Sequence, residues 1–176
     1  QDGIYLQFWM YALAATLVKR SSDLSAFDNL FEMYFSGLST ILGDARSDIL
    51  RNLAGNGDES RQILEDLLKL LESENPPSEL LRALLSMDMQ RLERMIRAAA
   101  QSMRSYDIEN QLQIGYFTRR LMEALGWEGM QADAGRLDQA MEDAGLPPDR
   151  REAMREFIRQ AMERFRRALR EFTEME

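Results

Sequence analysis

Adjacent carboxylates are the sharpest reactive pattern in this sequence, with Glu65-Asp66 and Glu142-Asp143 as the clearest cases. Two carboxylates sharing a proton can act as general acid and base, but neighbours on a helix point about 100° apart and cannot meet on one substrate atom. Both pairs therefore read as solvated helical faces. The chain contains no histidine, which removes the usual general base, the imidazole metal ligand and the Glu-x-x-His pattern of metal-carboxylate bundles. It contains no cysteine, hence no thiolate nucleophile, cysteine zinc site or disulfide framework. Ser22 and Ser105 have no basic partner in sequence, and Gly55-Asn56-Gly57 lacks the lysine and the preceding strand of a phosphate-binding loop. The sequence assigns no catalytic, cofactor-binding or metal-binding residue, and a non-enzymatic role is expected.

Charge narrows the partners further. Eight arginines, Arg150, Arg151, Arg155, Arg159, Arg164, Arg166, Arg167 and Arg170, crowd the last segment, yet the whole chain carries a net charge of -8. Nucleic-acid binding needs clustered cations that neutralise phosphates, and most of this surface would repel them. The arginines are also interleaved with acids: Glu163 with Arg167 at i, i+4, and Glu152 with Arg155 and Glu156 with Arg159 at i, i+3. Such pairs are worth a few tenths of a kcal/mol each, and the segment reads as a pair-laced, solvated face. Twelve methionines resemble the lining of an adaptable groove, but most stand at core spacing and read as filler. Ile4 to Val18 is the one long apolar run, and its 15 residues fall short of the roughly 20 needed to cross a bilayer. No membrane role is expected, and an intracellular, cytoplasmic setting fits the missing cysteines.

The elements that must position these side chains are helices. A 45 % hydrophobic and 30 % charged composition is that of an ordinary globular chain, and runs of alternating β-branched and aromatic residues are almost absent. The expected architecture is all-α: one domain over residues 1–176, a bundle of seven or eight helices. Helix boundaries follow from capping and periodicity. Ile4 to Arg20 forms an apolar first helix, Ser21-Ser22-Asp23 caps a second, and Leu24, Phe27, Phe31, Tyr34 and Leu38 mark its buried face until Gly37 stops it. From 39 to 58 the pattern weakens between Gly43-Asp44 and Gly55-Asn56-Gly57-Asp58, which predicts a flexible connection.

Asp58 then caps a helix through Ile63, Leu64, Leu67, Leu68, Leu70 and Leu71, which Asn75-Pro76-Pro77 ends. Ser78 opens a short helix through Leu85, and Asp88 caps the next, with Leu92, Met95, Ile96, Ala99 and Met103 as its stripe. Gln111 to Leu125 follows, with Ile114, Phe117, Leu121, Ala124 and Leu125 inward and Gly126 as a left-handed stop. A weaker helix runs from Gln131 to Ala144 and ends at Gly145. The last covers about 148–176, with Pro148 and Asp149 in its first turn. Its residues Met154, Ile158, Ala161, Phe165, Ala168, Phe172 and Met175 repeat at steps of four and three, a seam that suits a bundle groove or a coiled coil. Phe157 and Leu169 widen that stripe, which favours packing within the chain.

Residues Ala15-Thr16-Leu17-Val18-Lys19-Arg20, followed by an acidic turn and Phe27-Asp28-Asn29-Leu30-Phe31, resemble the N-terminal region of bacterial CoxE-like proteins of the von Willebrand factor type A family. A looser likeness runs from Ser78 to Trp127, through Glu79-Leu80-Leu81-Arg82-Ala83-Leu84, Met87-Asp88, Gly115-Tyr116-Phe117 and Ala124-Leu125-Gly126. The resemblance implies a helical region that precedes a metal-binding type A domain in a partner of a MoxR-type AAA+ ATPase, which together mature or activate a client protein. The Asp-x-Ser-x-Ser loop of that metal site does not occur; Ser22-Asp23-Leu24-Ser25 is the nearest run. The chain is then expected to be the helical portion of a longer protein, which agrees with its start at Gln1.

The function so implied is that of an adaptor between the ATPase and its client. Lys19, Arg20, Arg119 and Arg120 are the exposed cations to watch on its surface. The alternatives are a self-associating scaffold, a homodimer built through the last helix, and a bundle that holds a small ligand among methionines and aromatics.

Overall fold

The computed structural model describes residues 21–53, 57–73, 78–103 and 114–174. Within them the chain is all-α, seven helices packed together with no strand: α1 Ser21–Leu53, α2 Gly57–Ser73, α3 Glu79–Leu85, α4 Met89–Ser102, α5 Ile114–Leu125, α6 Trp127–Asp143 and α7 Pro148–Thr173. The wide seam read in the last segment is the reason for this arrangement. Met154, Phe157, Ile158, Ala161, Phe165, Ala168, Leu169 and Phe172 are all buried on α7. That face packs against α1, α2, α3, α5 and α6, while α4 closes over α1 and α5. Burying a Phe or Leu is worth roughly 1.5–3 kcal/mol, so the α7 stripe supplies a large share of the cohesion. The buried residues form one contiguous cluster from Phe35 to Phe172. Within it the Phe35 and Phe172 rings lie 5.1 Å apart, and the Arg97 guanidinium sits 5.2 Å from the Phe35 centroid.

The largest departure from the sequence reading is α1. It runs unbroken for 33 residues, so Gly37 does not end it and the connection expected over 39–58 is helix as far as Leu53. Ser21-Ser22-Asp23 is likewise helical rather than a turn that caps one. The reason is tertiary. Glycine in a helix costs about 1 kcal/mol relative to alanine, but Leu38, Ile41, Leu42, Ala45 and Ile49 are buried at steps of three and four. Their burial outweighs the two glycines, and α1 gains long contacts with α4 and α7. The expected helix over Ile4–Arg20, the hairpin it would form with the next helix, and the side chains of Leu24, Phe27, Phe31 and Tyr34 lie outside the described residues. So does the stop at Asn75-Pro76-Pro77.

Other boundaries follow the capping chemistry. Ser78 accepts a hydrogen bond at its Oγ from the Leu81 N–H at 3.2 Å, and Asp88 accepts one from the Arg91 N–H at 3.0 Å. Asp58, by contrast, lies within the first turn of α2 instead of capping it. The α3–α4 junction also carries a feature that its composition does not announce. Met87 adopts φ 56°, with its N–H donating to the Leu84 carbonyl and the Asp88 N–H donating back to Ala83. This is the left-handed helix stop that glycine normally supplies. Arg91 ties the same junction, donating from Nε and Nη2 to Glu79 at 3.1 and 2.8 Å.

Gly126 does take the expected left-handed conformation, φ 83°. It is at once the end of α5 and the start of α6, which begins at Trp127, four residues before the predicted Gln131. Met130, Asp133, Leu137 and Met141 form the inner face of α6, and the acid in that row is why the stripe looked weak. Ala124 was expected inward and is exposed, because the α5 core face is narrowed to Phe117, Leu121 and Leu125. Ile114 shares the α5 backbone, but its side chain is not described.

Candidate functional site

The carboxylate pairs do not converge. Asp66 accepts hydrogen bonds from Arg150 at 3.2 Å and from Gln62 at 3.2 Å, while Glu65 is exposed. Glu142 faces Arg151 at 3.8 Å, and Asp143 accepts from Gln139 at 3.1 Å. Ser105, Gly55 and Asn56 lie outside the described residues, as does the side chain of Ser22. Among the described residues, no group of three or more Asp or Glu side chains is placed to hold a metal ion. No described helix is long and apolar enough to cross a membrane.

Asp133 is the acid that the sequence reading missed. Only 7 % exposed, it accepts hydrogen bonds from the backbone N–H of Ser78 and from Arg136. A buried carboxylate there neutralises an N–H left open at the start of α3 and joins α6 to it. The signal was present as a single acidic residue on the Met130–Met141 row, where every neighbour is apolar. It has the environment of a structural anchor: each of its oxygens accepts from a donor of its own chain.

Among the described residues, a concave surface lies elsewhere. An open groove of about 770 Å³ runs between α5, the start of α6 and the second half of α7. Met122 and Trp127 line it as half-buried apolar groups packed on the core. Trp127 is held in place by Phe165, with the rings stacked at 15° and their centroids 6.3 Å apart. Where α5 meets the end of α7, the Thr118 and Thr173 hydroxyls share a hydrogen bond at 2.6 Å, which binds the two helices to each other.

The rim is charged. Arg119 pairs with Glu123 at 3.1 Å, Arg167 with Glu163 at 3.8 Å and Arg170 with Glu174 at 3.5 Å, each within its own stretch of chain at i, i+4. Arg166 and Glu128 also line the groove, are exposed, and make no ion pair among the described residues. Of the four cations singled out in the sequence, Arg119 reaches this rim, and Arg120 pairs with Glu123 at 3.2 Å beside it. Lys19 and Arg20 lie outside the described residues.

The three intrahelical pairs predicted on the last helix all form: Glu163 with Arg167, Glu152 with Arg155 at 3.5 Å, and Glu156 with Arg159 at 2.6 Å. Among the described residues, Glu156 is the most perturbed acid. Hydrogen bonds from Arg159 and then from Gln160 hold its carboxyl down at about 2. The Arg159 guanidinium is correspondingly raised, chiefly by Glu156, and Arg155 is raised by its hydrogen bond to Asp138. These perturbations mark ion pairs on exposed helix faces, and their chemistry is structural. The chain matches no protein-family model, no curated protein and no solved structure.

Proposed function

We propose that this chain is a non-enzymatic helical interaction module whose docking surface is the groove between α5, α6 and α7. One observation carries the reading: a half-exposed tryptophan and a methionine lie in a concave surface bordered by exposed arginines and glutamates. Tryptophan and arginine are the residues that most often dominate protein–protein binding, and a methionine floor adapts to the shape pressed on it. The three rim ion pairs are solvent-exposed and contribute about 0–1 kcal/mol each, so a partner's charges can replace them at little cost. The rigid support comes from below, where Phe165 is buried under Trp127.

The partner class follows from the resemblance in Ala15 to Arg20 and Phe27 to Phe31. In this reading the module works in the cytoplasm as an adaptor for a MoxR-type AAA+ ATPase. The motor supplies hydrolysis, and the adaptor shifts its client between states by contacting them unequally. Co-purification of the chain with a MoxR-type ATPase from the same genome, in ATP, in ADP and without nucleotide, tests it. Association in at least one condition that weakens on Trp127→Ala is expected. No association in any of the three overturns the assignment to that ATPase.

A further inference from the structure

The charges of the groove do not follow those of the chain. The whole molecule carries -8, so two copies repel over most of their surfaces. The groove is lined by Arg119, Arg166, Arg167 and Arg170 against Glu123, Glu128, Glu163 and Glu174, and these sum to zero. It is therefore a place where a second copy can approach without net repulsion. Within it, three arginines and three glutamates are already paired along their own helices. The two left over are opposite in sign. Both line the groove that holds Trp127, and in the sequence they adjoin Trp127 and its stacking partner Phe165. Although both line one groove, Arg166 and Glu128 do not pair with each other.

A two-fold axis makes such a surface self-complementary, because each residue that meets a different residue across the axis is met by it in return. We propose that the groove takes the same groove of a second copy, with Arg166 facing Glu128 of the partner subunit, twice over, and the two Trp127 rings between them. The proposal rests on the reading of the groove as a docking surface and names its occupant. A surface confined to one groove falls at the small end of specific interfaces, which gives a transient dimer rather than an obligate one. Its rim charges make the association sensitive to salt. Pairing covers the groove, so the ATPase and a second copy compete for it by mass action.

Sedimentation velocity over a wide range of concentrations, on the full chain and on Arg166→Glu, Glu128→Arg and the double variant R166E/E128R, tests this. Wild type is expected to dimerise with rising concentration, each single reversal to weaken the dimer about tenfold or more, and the double variant to recover it to within about threefold. Both residues are exposed, and circular dichroism is expected to show that each variant keeps its helices; Glu128→Gln, which spares the first turn of α6 a cation, should weaken the dimer less than Glu128→Arg. A wild-type monomer at every concentration, or a dimer indifferent to both single reversals, overturns the proposal.

Hydroxyl-radical footprinting of Met122 and Trp127 separates the two readings. Protection that rises with the chain's own concentration supports self-pairing. Protection that appears only when the ATPase is added, with the chain otherwise monomeric, overturns self-pairing and leaves the docking groove standing. Absence of protection in both conditions overturns both.

Discussion

The arginines of α7 divide by what they reach. Arg150 meets Asp66 on α2, Arg155 meets Asp138 on α6, and Arg164 donates to Asp48 on α1 at 2.8 Å. These join one helix to another and help fix the angle and register at which the bundle closes. Arg167 and Arg170, at the groove, pair only with glutamates of α7 and its C-terminal cap, and Arg166 makes no ion pair among the described residues. The same residue type thus serves as a cross-brace on one side and as an exchangeable rim on the other. The difference is in burial: the Arg164 side chain is 15 % exposed, against 66 % for Arg167. Screening by water leaves the second kind of pair nearly neutral in stability, and so open to exchange.

The comparison breaks most violently where the two regions share a residue. Phe165 lies 1 % exposed in the core and at the same time supports the Trp127 ring of the groove. Phe165→Ala is expected to cost about 3–5 kcal/mol in denaturant unfolding and to change Trp127 fluorescence in the native state, since a cavity opens under the indole. Trp127→Ala should cost distinctly less, because that side chain is only half-buried. Equal losses would mean that the groove is part of the core rather than a surface laid over it.

Asp133 is the next test, and it concerns the bracing side. Replacing it with Ala strands the Ser78 N–H at the start of α3, which is expected to cost about 1–3 kcal/mol. Asp133→Asn keeps an oxygen acceptor and should recover much of that loss in a thermal melt. Recovery absent, the carboxylate charge rather than the hydrogen bond holds the helix.

What the sequence made legible was the part governed by local chemistry. Ser78, Asp88, Gly126 and Pro148 mark real helix ends, and the stripe of the last helix is the spine of the bundle. Gly145 likewise stops α6, with φ 69° and hydrogen bonds from its own N–H to Glu142 and from Leu146 to Met141. What escaped was decided by tertiary packing. Gly37 and Gly43 have the composition of breaks, yet the burial of Leu38, Leu42 and Ile49 carries the helix through them. Met87 has no composition that signals a left-handed turn, and only its position between two capped helices imposes one. The groove was illegible for another reason: Met122, Trp127 and Arg166 come from three helices, and no spacing along the chain unites them. Arg119 was flagged merely as an exposed cation.

Two of the left-handed stops, Gly145 and Met87, give a sharper set of variants. Gly145→Ala forces a Cβ into a φ of 69° and should cost about 1 kcal/mol even though open space surrounds it. Met87→Gly relieves the same strain at the α3–α4 turn but gives up the packing of a half-buried side chain, so its net effect should fall within about 1 kcal/mol of zero. Met87→Val adds a β-branch where φ is 56° and should be the worst of the three in a thermal melt.

Double-mutant cycles measure the brace against the rim directly. Coupling between Arg164 and Asp48 is expected at about 1 kcal/mol, and between Arg167 and Glu163 at about 0.3 kcal/mol or less. Raising salt should diminish both, the exposed pair proportionately more.

The smallest effect lies on the outer face of α7, where Glu156 is held at about 2 by Arg159 and Gln160 against an ordinary value of 4.5. A carboxyl whose folded value lies below its unfolded one contributes stability that is fully present above the unfolded value. That contribution declines as pH falls from 4.5 toward 2, because the unfolded chain takes up the proton first. Carbon-detected NMR titration of the Glu156 carboxyl reads this residue by itself, and Arg159→Ala should return its midpoint most of the way to the ordinary range. Arg167→Ala removes a partner of Glu163, which also accepts from Arg159 at 3.0 Å, and should move that midpoint far less than Arg159→Ala does. A midpoint that moves equally in both variants would mean the helix face acts as one charged sheet, and the groove rim could not then exchange its pairs independently of the rest of α7.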